Sequence, residues 1–246
     1  MIHGKRVLVY IPARSGSKSI KDKNIVDVAG KPLMAYTIEA AKASKYVDRV
    51  IVSTDSEQYG AIAQKFGADV PFLRPSEFAT DTSPEMDTTI HLMDWLENNG
   101  LEYFGKFDII MRLQATSPLR TAEDIDKGLE LFVSKDADSI ISVFECPVTP
   151  LWMNTLPQDL SMANFIPEPI RRKNRQELPT HYQLNGAIFA ARWDFIKQKK
   201  SWYGEKSYAF IMSKEHSVDV DDMLDLEFAR FLISYGSKIN KATNRF

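Results

Sequence analysis

Apolar residues fall along the chain in two kinds of run, and the two kinds alternate. Val7-Leu8-Val9-Tyr10-Ile11-Pro12 is a continuous apolar run, the pattern of a strand buried on both faces, and Pro12 withdraws the next ladder donor. After Gly30-Lys31-Pro32, residues Leu33, Tyr36, Thr37, Ala40 and Ala41 recur at helical spacing. A second short buried strand is predicted over 49–55, with a helix over about 57–66. A long polar connection then leads to a helix over about 87–98, a strand over 107–113 and a helix carrying Ile125, Leu129 and Phe132 with Thr121 as its cap. A further strand is expected over 137–143.

This alternation predicts an α/β fold, Rossmann-like and doubly wound, with a mainly parallel sheet. Right-handed crossovers bring Ser53, Thr54 and Asp55 to the same sheet edge as the loop after Pro12. Asp55 reads there as a helix cap or turn former. The alternation stops near Cys146, where Pro147, Pro150, Pro157, Pro167 and Pro169 fall among short extended pieces. We expect one α/β unit made of 1–145 and 193–246, and a small β-rich arm over 146–192. Trp152, Met153, Phe165 and Tyr182 on that arm suit burial against a partner.

A chain of 246 residues, 44% apolar, suits one globular domain with a modest appendage. The formal net charge of −2 lacks the basic excess of a nucleic-acid binder. No apolar run is long enough to span a bilayer, so no membrane partner is expected. The single cysteine, Cys146, excludes an intrachain disulfide and suggests a reducing, cytoplasmic setting. His3, His91, His181 and His216 are scattered, and neither HExxH, G-x-S-x-G nor zinc spacing occurs. Hydrolytic chemistry therefore has little support.

Candidate chemistry begins in the loop that follows the first strand. Small residues at Ala13, Ser15, Gly16 and Ser17 let backbone N–H groups approach an anion, while Arg14, Lys18 and Lys23 supply charge. The loop is neither a Walker A sequence nor a GxGxxG turn. A plain surface loop with solvated lysines is the other reading. Gln114, Thr116 and Ser117 end the strand over 107–113 with hydrogen-bonding groups suited to a polyhydroxy ligand. Near the carboxyl terminus an extended Ser217-Val218-Asp219-Val220-Asp221 would put Asp219 and Asp221 on one face. Paired carboxylates repel unless a divalent cation is shared, and magnesium held jointly with phosphates fits hard oxygen ligands; a solvated strand end is the alternative. Asp222 and Asp225 read as caps of a final helix.

Ala13-Arg14-x-Gly16-Ser17-Lys18, followed by Lys23-Asn24, resembles the signature of the CMP-sialic acid synthetases (acylneuraminate cytidylyltransferases). Leu113-Gln114-x-Thr116-Ser117-Pro118-Leu119-Arg120, Arg175-Gln176-x-x-Pro179, Asn185-Gly186-Ala187 and Asp219-x-Asp221 are similar to further motifs of that family. The resemblance implies that Ala13, Arg14, Ser17, Lys18, Lys23, Asn24, Arg74 and Asp81 bind CTP. It implies that Gln114, Thr116, Ser117, Arg175, Gln176, Asn185 and Phe189 meet an acidic nine-carbon sugar, Asn185 at an acyl amide. Asp219 and Asp221 would hold Mg2+, with Arg14 and Lys18 sharing the catalytic work, and the arm would project into a second subunit of a homodimer. The implied reaction gives CMP-sugar and pyrophosphate. Trp152 and Phe189 depart from the family pattern at places that often carry a basic residue and a tyrosine. That keeps CMP-legionaminate or CMP-pseudaminate synthetase open as alternatives, then CMP-Kdo synthetase; a non-catalytic CTP sensor is the reading from another class.

Overall fold

In the computed structural model, which describes residues 1–243, six strands form one sheet: β1 (Val7–Pro12), β2 (Arg49–Ser53), β3 (Ile109–Leu113), β4 (Ser139–Glu145), β5 (Tyr182–Arg192) and β6 (Ser207–Ile211). Their spatial order is β2-β1-β3-β5-β4-β6. β1 lies between β2 and β3 and pairs with both in parallel, Tyr10 standing opposite Ile51 on one side and Arg112 on the other. β5 alone among these strands runs antiparallel to its neighbours β3 and β4, while β6 pairs with β4 in parallel. The mainly parallel sheet expected from the sequence is thus present.

Alternation along β1 divides the core. Val7, Val9 and Ile11 face one apolar layer with Met34, Ile38, Leu129 and Phe132, and Leu8 and Tyr10 face a second with Leu92, Met93, Phe189 and Trp202. Helices cover both faces, as a doubly wound sheet requires. Helix α1 (Leu33–Ala43) starts directly after Pro32 and buries Leu33, Met34, Ile38 and Ala41. Helix α2 (Glu57–Lys65) is capped by the Ser56 hydroxyl, which accepts from the Tyr59 N–H. Helix α3 (Glu85–Trp95) starts two residues earlier than expected and runs on through a π-helical turn at Leu96–Gly100. Helix α4 (Ala122–Ser134) opens with a reciprocal box between Thr121 and Asp124. Helix α5 (Trp193–Lys199) and strand β6 are additions to the elements that the sequence pattern predicts. Helix α6 (Met223–Thr243) follows the paired aspartates, and Asp222 accepts from the N–H groups of Leu224 and Asp225, as its place before the helix predicts.

The stretch 146–192 differs from the expected β-rich arm. Residues 146–181 hold short helical turns, Pro150–Trp152, Glu168–Arg171 and Arg175–Glu177, because the interspersed prolines deny ladder donors. Tyr182–Arg192 belongs to the central sheet, so the excursion proper ends at 181. Met153 and Tyr182 are exposed there, with Leu156, Leu160 and Met162, whereas Trp152 and Phe165 are half-buried. Residues 244–246 of the expected α/β unit lie outside the described residues. Among the described residues no helix is long and apolar enough to cross a membrane.

A third, small apolar cluster decides where the chemistry meets. Ile20 from the cationic loop packs with Val28, Leu33, Val220, Leu226 and Ala229. Val220 is wholly buried, and its N–H donates to the Thr116 carbonyl at 2.9 Å. Burial of Val220 turns its neighbours Asp219 and Asp221 outward, toward the loop after β1.

Candidate active site

The loop between β1 and α1 is fastened at three points. The Ala13 N–H donates to Ser53 O at 2.9 Å, so the chain stays on the sheet one residue beyond Pro12. Asp55 accepts from both the N–H and the hydroxyl of Ser15 at 2.7 and 2.6 Å. The Asn24 amide, itself buried, donates to Arg14 O at 2.9 Å. Gly16 turns the chain between them at φ +74°, backbone that favours glycine. Asp55 is therefore a brace for the loop, and Ser56, rather than Asp55, caps α2.

A cavity of about 470 Å³ opens against this loop. Its lining includes Arg14, Ser17, Lys18, Lys23 and Asn24 of the loop, Arg74 and Asp81, and Gln114, Thr116, Asp219 and Asp221. Asp81 pairs with both Arg14 at 2.6 Å and Lys18 at 2.5 Å. The ammonium groups of Lys18 and Lys23 hold Asp81 and Asp221 respectively, the latter at 3.1 Å with a further bond to Val220 O at 2.9 Å. Hydrogen bonds from Lys18 and Arg14 keep the Asp81 carboxyl below the usual carboxylate range. Arg74 is buried and directs donors at Ser53 O and Phe78 O; burial pushes its pKa down, and the charge of Asp55 partly offsets this.

Asp219 has its carboxyl held above the usual carboxylate range. Burial raises its pKa, a Thr116 hydrogen bond opposes, and the charge of Asp221 raises it further, against Lys23 and Arg112. Its Oδ1 is buried without a hydrogen-bond partner. Among the described residues no group of three His, Cys, Asp or Glu side chains gathers around one point. Two carboxylates with one unpartnered buried oxygen suit a hard cation that takes its remaining ligands from a bound substrate.

A second cavity of about 510 Å³ adjoins the first and shares Glu85, Arg112, Gln114, Asp219 and Asp221 with it. Asn185, Gly186 and Phe189 of β5 line this second space. Gly186 has φ +70°, and a Cβ there would stand 2.0 Å from Gln114 Oε1; its bareness makes room for the Gln114 side chain. The Asn185 amide is engaged inside the protein. Its oxygen accepts from Ser142 Oγ at 2.5 Å and Ala187 N at 3.1 Å, and its nitrogen donates to Ser217 Oγ at 2.9 Å. That amide is not free for an acyl group, contrary to expectation.

The remaining expected residues divide. Ala13 and Ser117 are buried and line neither cavity, the Ser117 hydroxyl being without a partner. Arg175 and Gln176 are exposed, and with Trp152 they line neither cavity of this single chain. Two arginines escaped the sequence reading of the site. Arg120, 2% exposed, donates to Ala187 O at 2.8 Å beneath the Gln114 turn. Arg112 pairs with Glu85 at 3.0 Å on the wall between the cavities. A lone cation inside the apolar strand Ile109–Leu113 was the signal for the second of these.

A mainly parallel α/β sheet with a cationic loop at a strand's carboxyl end and a carboxylate pair lining the same cavity is the arrangement in which α/β folds collect ligands. The comparisons with known proteins go further: the family model for Cytidylyltransferase matches residues 8–229, and the chain belongs to that family. It is 37% identical over 230 residues to the N-acylneuraminate cytidylyltransferase of Escherichia coli O18:K1:H7, covering 91% of this chain and 51% of that protein. The chain thus spans about half the length of that relative. It is 35% identical over 224 residues to the CMP-N,N'-diacetyllegionaminic acid synthase of Legionella pneumophila, covering 89% of this chain and 93% of the relative. Among solved structures, a CMP:2-keto-3-deoxy-manno-octonic acid synthetase complexed with CTP superposes with a TM-score of 0.69 at 18% identity, over 94% of this chain and 99% of that one. That likeness concerns the fold.

Proposed function

We propose that the chain transfers the cytidylyl group of CTP to the anomeric hydroxyl of a nonulosonic, sialic-acid-type sugar. One observation carries the reading: Arg14, Lys18 and Lys23 line the same cavity as Asp219 and Asp221. Cations matched to a triphosphate and carboxylates matched to a metal thus share a single cleft. In this reading the sugar hydroxyl attacks the α-phosphorus in line, the bond to the pyrophosphate oxygen breaks, and the hydroxyl proton leaves to solvent in the open cleft. No covalent nucleophile is required.

Arg14 and Lys18 would exchange their Asp81 partner for the triphosphate, and Lys23, Ser17, Asn24 and Arg74 would complete its surroundings. Asp219 and Asp221 would hold Mg2+, which when bound supplies positive charge against the phosphates. The chain's own part is alignment and charge compensation, which contribute most of the rate enhancement in such transfers. Gln114 lines both cavities and Thr116 lines the first, so the acceptor would occupy the second one, with Phe189 as its apolar side.

Exposed Met153, Leu156, Leu160 and Met162 on residues 146–181 support a homodimer. Arg175 and Gln176 would then reach the acceptor across the subunit boundary. The relatives act, by their names, on neuraminic and legionaminic acids, and the ring of Phe189 packed on Trp202 at 5.6 Å favours a deoxygenated acceptor. The test is pyrophosphate release from CTP with magnesium and, in separate reactions, neuraminic, legionaminic, pseudaminic and Kdo acids. Release with CTP and one nonulosonate supports the reading. CTP binding without release under any combination would leave a sensor.

A further inference from the structure

The second cavity has an uneven electrostatic wall. Its charged lining residues are four acids, Glu85, Asp219, Asp221 and Asp225, and one cation, Arg112. Arg14, Lys18, Lys23 and Arg74 line the first cavity and not the second. Among the charged groups lining the second cavity, an entering anion therefore finds one of opposite sign, Arg112.

Arg112 is built for such a group. It projects from the central strand β3 and is 6% exposed. Its Nε stands 3.0 Å from Glu85 Oε1 in an ion pair, yet neither Nε nor Nη1 makes a hydrogen bond. The Phe189 ring lies against the guanidinium, 5.0 Å from its central carbon. Glu85 is anchored in turn by the Trp202 indole N–H at 2.9 Å, and Trp202 packs on Phe189. The guanidinium is thus fixed from below by an aromatic ring and from one side by a carboxylate, with donors left over. A buried guanidinium with unused donors is costly unless an anion completes it, and its planar fork matches a carboxylate.

We propose that Arg112 binds the carboxylate of the acceptor sugar from within the same protomer, and that it sets this chain's preference for acidic over neutral acceptors. The inference rests on the cytidylyltransfer reading above and adds the residue that reads the acceptor's charge. Glu85 is the positioning residue: it orients the fork and balances its charge until the acceptor binds.

Equilibrium binding tests this without requiring turnover. With CTP present, calorimetry would compare N-acetylneuraminate with its methyl ester, and N,N'-diacetyllegionaminate with its methyl ester, on the wild type, Arg112→Met and Arg112→Lys. The wild type is expected to prefer one acid over its ester by on the order of ten- to a hundredfold. Arg112→Met should bind acid and ester alike, and Arg112→Lys should restore part of the preference. An acid-to-ester ratio unchanged in Arg112→Met, or in Arg112→Lys should the first variant not fold, would overturn the inference. So would failure of the wild type to bind either acid. Turnover of the wild type with CTP, measured separately, distinguishes that failure from failure of the cytidylyltransfer reading.

Discussion

Asp55 at the end of β2 receives both the backbone N–H and the hydroxyl of Ser15, at 2.7 and 2.6 Å. The cationic loop is therefore not free to follow its ligand: Ser15 near its start is locked to the neighbouring strand's edge. Preorganisation of this kind lowers the entropic cost of gripping a triphosphate.

Replacing Asp55 by Ala should loosen the loop, weaken CTP binding about tenfold and cost about 1–2 kcal/mol of stability. Burial pushes the Asp55 carboxyl up, but the Ser15 hydrogen bonds, its own backbone N–H and Arg74 outweigh this and hold it below the usual value. A carboxyl depressed in the folded state contributes fully above its unfolded value of about 4, and the contribution is lost as pH falls through the folded value. Denaturant unfolding of wild type and Asp55→Ala should thus show a constant gap above about pH 5 that closes in more acidic solution. A gap that widens with acid would contradict the brace.

Asp219 should trade stability for function. Its Oδ1 is buried and unpaired beside Asp221, so Asp219→Asn should raise the melting temperature of the ligand-free protein by about 2–4 °C, roughly 1 kcal/mol. The same variant should lose pyrophosphate release and any stabilisation by added magnesium. Thermal denaturation with and without the cation, beside the release assay, checks both halves. A magnesium-dependent shift that survives in Asp219→Asn would move the metal elsewhere.

Gly186 and Gln114 form a lock of another sort. A methyl group at Gly186 would fall on Gln114 Oε1, at a φ that disfavours alanine. Gly186→Ala should cost about 1–2 kcal/mol and raise KM for the acceptor more than KM for CTP. Steady-state kinetics with each substrate varied in turn would show the split; equal effects on both would place Gln114 on the nucleotide side.

Much of the fold was legible because buried parallel strands and amphipathic helices leave strong periodic marks. Val7–Pro12, Leu33–Ala43 and the Thr121 cap stand where those marks put them. Tyr182–Arg192 was missed as a sheet strand because Asn185-Gly186 reads locally as a turn; Gly186 does keep φ +70°, and pairing on both sides together with Asn185 bonded to Ser142 and Ser217 carries the strand through that break. In the site, the cationic loop and the Asp219 and Asp221 pair could be picked out by residue type. Their meeting depends on Ile20 and Val220 packing together from opposite ends of the chain, which no local pattern records. Arg112 was hidden for the opposite reason: a single charge within an apolar run looks like noise until Glu85 and Phe189 are seen around it.

The most direct test of the central claim follows one oxygen atom. An acceptor nonulosonate carrying 18O in its anomeric hydroxyl would be incubated with CTP and magnesium, and the products read by phosphorus NMR and mass spectrometry. Attack on the α-phosphorus predicts a CMP-sugar with the label in the bridging position and unlabelled pyrophosphate. Labelled pyrophosphate or phosphate, or CTP bound and recovered intact with every acceptor, would contradict cytidylyl transfer.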